Sequence, residues 1–306
     1  MNTMNKFITV LIISVVILGC KSEGDTSGKL QIVTTTSMIT DLVMNIGGDL
    51  INVEGLMGAG VDPHLYKASE GDVAKLYNAD IIFYNGLHLE GKLVEVFEKM
   101  AQQQKTQIPL AEALDPNGLI GSEYFASNYD PHVWFDIQYF NVFAMQVAEV
   151  LSEKDPDNAL KYNENLKVYS EKLMALEAEM KAVIETLPKE QRILVTAHDA
   201  FNYFGKAYDF EVVGLQGLST ATEAGVRDVQ RLSEFIISNN VKAIFVESSV
   251  PRRTIEALQQ AVQSKGYKVK IGGSLYSDAL GNPGTEVGTY VGMFRYNVNT
   301  IISELK

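Results

Sequence analysis

Residues 155–188, DPDNALKYNENLKVYSEKLMALEAEMKAVIETLP, form the longest periodic stretch of the sequence. Asp155 can cap a helix there, Pro156 can take its first position, and Pro188 ends it. The stretch therefore predicts one helix of about 32 residues, roughly 48 Å long at 1.5 Å per residue. Its apolar residues recur at mostly three- and four-residue intervals, as on one face of a helix: Leu160, Leu166, Tyr169, Leu173, Leu176, Met180, Val183 or Ile184, and Leu187.

A helix of that length constrains the whole fold, because it is long enough to cross two domains. It would join them as a stiff connection, so we expect closure of the domains on one another to be small. The alternative is a freestanding coiled coil, which an apolar stripe of this kind can also form. The same stripe can equally lie on the two domains.

Short β-rich runs alternate with helical segments on both sides of this stretch. They are LQIVTTT, INVEGLM, ADIIFYNG and KTQIPLA before it, and RILVTA, FEVVGLQ, VKAIFVES and YKVKIGG after it. Strands interleaved with helices are typical of parallel sheets covered on both faces. The sequence thus predicts an α/β fold of two similar lobes, with mostly parallel sheets, joined by one long helix. The predicted division is an N-terminal lobe over 29–154, the linking helix over 155–188 and a C-terminal lobe over 189–306.

The first 28 residues predict export and a lipid anchor. Residues 1–19 carry one lysine and then the apolar run ITVLIISVVIL, the pattern of a signal peptide. This run is short for a transmembrane helix, which needs roughly 20 residues. Ile17-Leu18-Gly19-Cys20 resembles the lipobox of bacterial lipoproteins, which implies cleavage before Cys20 and lipidation of that residue. Residues 20–28 would then be a flexible, lipidated tether; the alternative is a buried cysteine in an uncleaved anchor.

The charge of the chain argues against one class of partner. The formal net charge is −12, from 26 Lys and Arg against 38 Asp and Glu. Proteins that bind nucleic acids concentrate Lys and Arg to neutralise phosphates, so we expect no nucleic-acid partner. The chain has one cysteine, Cys20, so an intramolecular disulfide is excluded and stability must come from the core.

Three of the four histidines occupy positions that suit a metal site. His64 and His132 each follow an Asp-Pro pair, and His198 directly follows the strand RILVTA. Open α/β sheets place their ligand-binding groups at such strand ends and loops. Pro63 and Pro131 fix their own φ and restrict the residue before them, so each triplet holds its histidine stiffly. Ligands that are already in position lose less entropy when they bind a metal.

A fourth ligand is sought in the second half of the chain, since two of the three histidines come from the first half. The candidate is Asp278 in GGSLYSDALG, which follows the last predicted strand in a loop of Gly and Ser. An aspartate there is by itself more typical of a helix cap or a turn, and spacing alone does not identify it as a ligand.

Several long motifs resemble one known family. DPHLYKASEGDVAKLYNADIIFYNGLHLEGKL, DPHVWFD, TAHDAFNYFGKAY, AIFVESSVP and LYSDALG together are similar to the zinc and manganese solute-binding proteins of ABC transporters, over about residues 30 to 305. The resemblance implies an extracytoplasmic metal receptor with two α/β lobes bridged by one long helix, and a metal between the lobes. It implies His64, His132, His198 and Asp278 as the metal ligands.

Four other residues are assigned supporting roles. The resemblance implies that His88, in NGLHLEG, shapes a loop beside the site, and that Glu247, in FVESSVP, is a hydrogen-bond partner of a ligand or of the other lobe. Asp62 and Asp130 each precede a ligand histidine by two residues. They are placed to accept the far imidazole proton, as carboxylates behind a metal-binding histidine often do; a turn-forming role is the alternative.

The identity of the metal stays open between zinc and manganese, with iron less favoured. Three imidazoles and one carboxylate suit four-coordinate zinc, whereas a bidentate Asp278 would give the fifth ligand that manganese could accept. The loop over 114–130 contains no histidine, which removes one mark of the zinc specialists in the family. A glutamate at the third ligand position would favour manganese, but this chain has His198.

The predicted function is capture of Zn²⁺ or Mn²⁺ as a transported ligand and its delivery to an ABC transporter permease with its ATPase. We expect a monomer, anchored through Cys20 to a bacterial membrane and facing the periplasm or the cell exterior. A lipid-anchored zinc hydrolase is an alternative, but catalytic zinc keeps one position open for water, and we expect no enzyme. A receptor for haem or a siderophore on a similar fold is the other alternative.

Overall fold

The predicted alternation of strands and helices is confirmed in a computed structural model, which describes residues 28–123 and 125–306. The strands are β1 (Leu30–Thr34), β2 (Ile51–Gly55), β3 (Ile81–Tyr84), β4 (Thr106–Pro109), β5 (Ile193–His198), β6 (Glu211–Gln216), β7 (Ala243–Glu247) and β8 (Lys270–Leu275). The α-helices are α1 (Ser37–Gly47), α2 (Glu70–Asn78), α3 (Val94–Gln102), α4 (Ile137–Lys154), α5 (Ala159–Ile184), α6 (Asn202–Tyr208), α7 (Val226–Ser238), α8 (Arg253–Ser264) and α9 (Tyr290–Leu305).

The two lobes have the same arrangement of strands. In the first lobe the four strands lie in the order β2-β1-β3-β4, and every pair is parallel. In the second lobe β5-β6 and β7-β8 form two separate two-stranded parallel sheets, and β5 lies beside β7. The order β6-β5-β7-β8 therefore repeats that of the first lobe, and the carboxyl ends of the first and third strands of each lobe lie centrally. Ligand groups of open α/β sheets are found at such ends.

The long helix is shorter than the sequence predicted. Residues Pro156–Asn158 form a 3-10 turn, and the α-helix covers only Ala159–Ile184. The backbone of Asp155 lies outside the helical region, at φ −137° and ψ 72°, since a residue before proline is disfavoured in that region. The prediction that Leu160 belongs to the apolar stripe is wrong, because this side chain is 75% exposed and Tyr162 is buried instead.

Helix α5 packs along both lobes, so the coiled-coil alternative is wrong. It contacts α1 and α4 of the first lobe and α9 of the second. One apolar cluster contains residues of both lobes together with the buried face of α5. Aromatic rings meet across the lobes as well: Phe135 and Phe201 have centroids 4.3 Å apart, and Phe140 stacks on Tyr290 at 3.7 Å. The lobes therefore share a core on the side of the long helix.

The predicted signal peptide over 1–19 and the lipidation site Cys20 lie outside the described residues, as does the tether up to residue 27. Over 28–123 and 125–306, we find no helix whose length and apolar character would let it cross a membrane.

Candidate metal centre

Four buried side chains, one from a strand end and three from loops, converge between the lobes. His64, His132, His198 and Asp278 each offer one ligand atom, and these atoms all lie within 4.8 Å of one another. His198 ends β5, and Asp278 follows β8. His132, His198 and Asp278 are 0 to 1% exposed, and His64 is 4% exposed. The structure thus brings together all four residues that the sequence singled out as ligands.

The spacing of the ligand atoms matches that around a single ion. The Nε2 atoms of His64 and His132 are 3.2 Å apart. Asp278 Oδ1 lies 3.7 Å from Nε2 of His132, and Asp278 Oδ2 lies 3.3 Å from Nε2 of His198. Two nitrogens bound tetrahedrally at 2.0–2.1 Å from zinc would be separated by about 3.3 Å. These three separations are therefore close to the value expected around zinc, and all four ligand atoms lie within 4.8 Å of one another.

Buried polar atoms that lack a hydrogen bond point into this space. Within the described part of the chain, Nε2 of His198 and Oδ1 of Asp278 are both buried without a hydrogen-bond partner. Oδ2 of Asp278 accepts a hydrogen bond from Ser249 Oγ at 3.2 Å. An unpaired buried polar atom is costly and in a native protein calls for an explanation. A cation between these atoms would satisfy both of them.

Asp130 holds both the backbone and the ring of His132. Its Oδ1 lies 2.7 Å from Nδ1 of His132 and accepts the backbone N–H of the same residue at 2.9 Å. Its Oδ2 accepts a hydrogen bond from Asn202 of the second lobe, and its carbonyl oxygen accepts one from Tyr203 Oη. A carboxylate on Nδ1 keeps the imidazole proton there and leaves Nε2 free for a metal. The sequence prediction for Asp130 agrees with this geometry.

Glu247 holds His198 in the same way. Its Oε1 accepts the backbone N–H of His198 at 2.9 Å, and its Oε2 lies 2.6 Å from Nδ1 of the ring. Glu247 ends β7, which lies beside β5, so two adjacent strand ends supply the ligand and its partner. The partner of Glu247 is therefore a histidine of its own lobe.

Asp62 differs from its counterpart in the other Asp-Pro-His triplet. Its Oδ1 accepts the backbone N–H of His64 at 2.8 Å, and its Oδ2 accepts a hydrogen bond from Thr220 at 2.6 Å. Among the described residues, no hydrogen bond joins Asp62 to the imidazole of His64. The predicted bond from Asp62 to that imidazole is therefore wrong, and the turn-forming alternative describes the contact with the His64 backbone.

The pKa of each titratable group in the site depends on its burial and on the charges of its neighbours. Burial lowers the pKa of His64 to about 3. Burial would also lower the pKa of His198, but the carboxylates of Asp278 and Glu247 outweigh it and raise that pKa well above its ordinary value. Burial would raise the pKa of Asp278, but the neighbouring imidazoles, that of His198 first, outweigh it and hold the pKa below its ordinary value. When no cation is bound, the positive charge of the protonated His198 imidazole balances the negative charge of the Asp278 carboxylate.

His88 is exposed and stands outside the group of four, as the sequence predicted. Its backbone is left-handed, at φ 62°, and its ring meets Phe125 at 6.2 Å, edge to face. Phe125 in turn contacts the ring of His64.

Sequence reasoning missed two residues that contact the Asp278 loop, Trp134 and Ser249. Trp134 Nε1 donates a hydrogen bond to the carbonyl oxygen of the residue before Asp278 at 3.0 Å. Neither Trp134 nor Ser249 stands at a sequence spacing that would have indicated this role.

A buried site of three imidazole nitrogens and a carboxylate is chemically suited to binding a divalent metal ion. Neutral imidazole and carboxylate ligands together suit zinc, and two carboxylate oxygens raise the ligand count for metals such as manganese. The carboxylate of Asp278 presents one oxygen toward His132 and the other toward His198. The arrangement can therefore offer a divalent cation four or five protein atoms.

Comparison with known proteins finds a family of metal-uptake proteins and relatives that are named for binding or transporting manganese. A family model described as ZnuA, zinc-uptake complex component A, periplasmic, matches residues 32–304. The chain is 46% identical over 302 residues to the manganese-binding lipoprotein MntA of Bacillus subtilis, covering 97% of each chain. It is 33% identical over 315 residues to the manganese ABC transporter substrate-binding lipoprotein PsaA of Streptococcus pneumoniae, covering 99% of each.

Solved structures share the fold. The periplasmic zinc binding protein TroA from Treponema pallidum superposes with a TM-score of 0.88 at 46% identity, over 91% of this chain and 99% of that one. The Mn-bound periplasmic metal binding protein from Candidatus Liberibacter asiaticus superposes with a TM-score of 0.78 at 27% identity, over 90% of this chain and 100% of that one.

Proposed function

This chain belongs to the family of the periplasmic zinc-uptake complex component A, and on that premise we propose that it binds a divalent transition metal outside the cytoplasm and delivers it to an ABC transporter for uptake. The relatives include ABC transporter substrate-binding lipoproteins. The ion is the transported ligand, and its partners are a membrane permease and the associated ATPase.

The observation that carries the proposal is the convergence of four buried ligand groups from both lobes. Their atoms lie within 4.8 Å of one another, and two of them have no hydrogen-bond partner among the described residues. We propose His64, His132, His198 and Asp278 as the metal ligands. Asp130 and Glu247 orient two of the histidines, and Asp62 holds the backbone of the third.

Zinc and manganese are both proposed as ligands. One relative with 46% identity is named for manganese and another with 46% identity for zinc, so similarity of sequence does not choose between them. Affinity alone favours zinc in the Irving–Williams order. Both oxygens of Asp278 face the histidines, which supports a five-coordinate mode as well. Availability in the environment of the cell would then decide which ion is carried.

The proposal includes an anchor to the membrane. Residues 1–19 are proposed as a signal peptide and Cys20 as the lipidated residue, after the lipobox pattern Ile17-Leu18-Gly19-Cys20. Several relatives are named as lipoproteins, which supports this assignment. The lobes over 29–154 and 189–306, with the linking helix over 155–188, would then face the periplasm or the cell exterior as a monomer.

The two competing functions fit the site less well. A hydrolytic zinc needs a coordination position open to water, whereas four protein groups surround this site. A haem or siderophore needs a wide cleft, whereas the ligand residues here are at most 4% exposed. The separations of 3.2 to 3.7 Å between ligand atoms leave space for a single ion.

Metal content tests the proposal directly. The soluble chain from residue 21 onward, purified and stripped with a chelator, should take up one zinc or one manganese ion per chain. His132→Ala should abolish tight binding, because this side chain is fully buried between the other ligands. His88→Ala is the matched control, since it removes an exposed histidine outside the site. Equal metal content in wild type and His132→Ala would refute the assignment.

A further inference from the structure

A segment of the second lobe reaches across to the loop that carries His64. Residues 217–225 connect β6 to α7, and within them Thr220 alone is buried, at 8% exposure. Its Oγ1 donates a hydrogen bond to Oδ2 of Asp62 at 2.6 Å. A hydrogen bond to a carboxylate is stronger than one between neutral groups. The connecting segment therefore makes a strong contact with the first lobe at one side chain.

The hydrogen bond between Thr220 and Asp62 connects to two of the proposed metal ligands, His64 through Asp62 and His198 through the segment that carries Thr220. Oδ1 of Asp62 accepts the backbone N–H of His64, so the carboxylate that Thr220 holds also fixes the His64 backbone. On the other side, Gln216 ends β6 opposite His198 in the register of the β5-β6 pair. Its amide donates to the carbonyl oxygen of Thr222 at 3.3 Å and so anchors the connecting segment. The hydrogen bond thus joins the backbone of one ligand to the strand pair that positions another.

Besides this hydrogen bond, the His64 loop meets the second lobe where the rings of His64 and His198 lie edge to face, with centroids 5.9 Å apart. Among the hydrogen bonds of the described residues, that from Thr220 is the one that links residues 58–64 to the second lobe. The His132 loop, by contrast, is held by Asn202 and Tyr203, which both bond to Asp130. Removing the Thr220 hydroxyl should therefore loosen one ligand and leave the others in place.

We propose that Thr220 is a positioning residue for metal retention: its hydrogen bond to Asp62 holds the His64 loop against the second lobe and sets the rate at which the ion is released. The inference rests on the proposed function and adds to it a residue that contacts no metal. The open state would break this bond while the core shared along α5 stays packed.

The experiment measures zinc release from the wild-type chain and its variants by stopped-flow mixing with an excess of a chromogenic chelator. Thr220→Val keeps the shape of the side chain and removes the hydroxyl, and it should release zinc about tenfold faster, because a hydrogen bond to a charged group contributes at least that factor. The association rate should stay within about twofold, since encounter does not require the bond. Thr220→Ser, which keeps the hydroxyl, should restore slow release.

Thr222→Val is the matched control, because it alters an exposed threonine of the same segment. The inference is overturned if Thr220→Val releases zinc at the wild-type rate, if Thr220→Ser is as fast as Thr220→Val, or if Thr222→Val is equally fast. A role confined to folding would lower the melting temperature of the metal-free variant and leave zinc release unchanged, which also overturns it. Failure of the wild-type chain to bind either zinc or manganese would instead refute the proposed function.

Discussion

The substitution Glu247→Gln tests whether the carboxylate behind His198 controls metal affinity. Glu247 presents one oxygen to the backbone N–H of His198 at 2.9 Å and the other to its Nδ1 at 2.6 Å. The carboxylate thus accepts the backbone N–H, and its close approach to Nδ1 favours the imidazole proton on that nitrogen, so that Nε2 can bind the ion. Glutamine has the same shape, but it offers one acceptor oxygen and one NH₂ donor.

Either orientation of the new amide spoils one of the two contacts. With its NH₂ toward Nδ1, the amide donates there, and the imidazole proton moves to Nε2, where it blocks the metal. With its NH₂ toward the backbone N–H of His198, two donors face each other in a buried site. Loss of a partner of this kind weakens metal binding by about 10- to 100-fold, which is about 1.4 to 2.7 kcal/mol of binding free energy.

Competition for zinc with a fluorescent chelator at pH 8 measures this loss. Glu223→Gln is the matched control, because the Glu223 side chain is 82% exposed, and its affinity should equal that of the wild type. The loss in Glu247→Gln should shrink as the pH falls to 6, since Glu247 raises the pKa of His198 and protons compete more strongly with zinc in the wild type. An affinity within twofold of the wild type at pH 8, or a loss that grows toward pH 6, would refute the reasoning.

Two further predictions concern the proton on His198 and the strand beside it. In the metal-free chain the pKa of His198 is raised, whereas that of His64 is about 3. Zinc binding at pH 7 should therefore release about one proton per ion, the one carried by His198. The affinity for zinc should also fall about tenfold per pH unit below the raised pKa of His198. Calorimetry in two buffers of different ionisation enthalpy measures the proton count, and a count of zero contradicts the charge assignment. Gly214→Ala would place a Cβ 2.5 Å from the backbone nitrogen of Asp199. This substitution should lower the free energy of unfolding, measured in urea titrations, by about 1 to 3 kcal/mol. Gly217→Ala is the control, because Gly217 has open space around it, and its free energy of unfolding should equal that of the wild type.

The parts of the fold that sequence predicted well are those set by local periodicity. Each β-rich run became a strand, because apolar β-branched residues in short runs favour buried parallel strands. The long helix was predicted from its apolar stripe, but its ends were not, because residues Pro156–Asn158 form a 3-10 turn and the α-helix already ends at Ile184. Leu160 was misplaced because it is six residues from Leu166 and lies off the buried face, whereas Tyr162, four residues before Leu166, continues that face and is buried.

The candidate site was predictable as far as each residue carried its own signal. His64 and His132 follow the same rigid pair, and His198 ends a strand; Asp278 had no such signal and required the family resemblance. The two Asp-Pro-His triplets are identical in sequence, yet Asp130 contacts an imidazole and Asp62 does not. The second oxygen of each is bonded to a residue 72 or 158 positions away along the chain, and local sequence carries no information about such partners.

The difference between the two triplets has a consequence for transport. A receptor that delivers its ion must bind it tightly and still release it. A site in which every ligand is held equally firmly by a neighbouring group would bind the ion tightly but would not release it readily. Two of the three histidines here have a carboxylate on the imidazole, which raises their basicity and fixes their rings. Among the described residues, no carboxylate is hydrogen-bonded to the imidazole of His64, whose backbone N–H is held by Asp62, and His64 is the most exposed of the four proposed ligands. We therefore expect affinity to be set mainly at His132, His198 and Asp278, and the release rate to depend on the His64 loop, so that substitutions can alter the two separately.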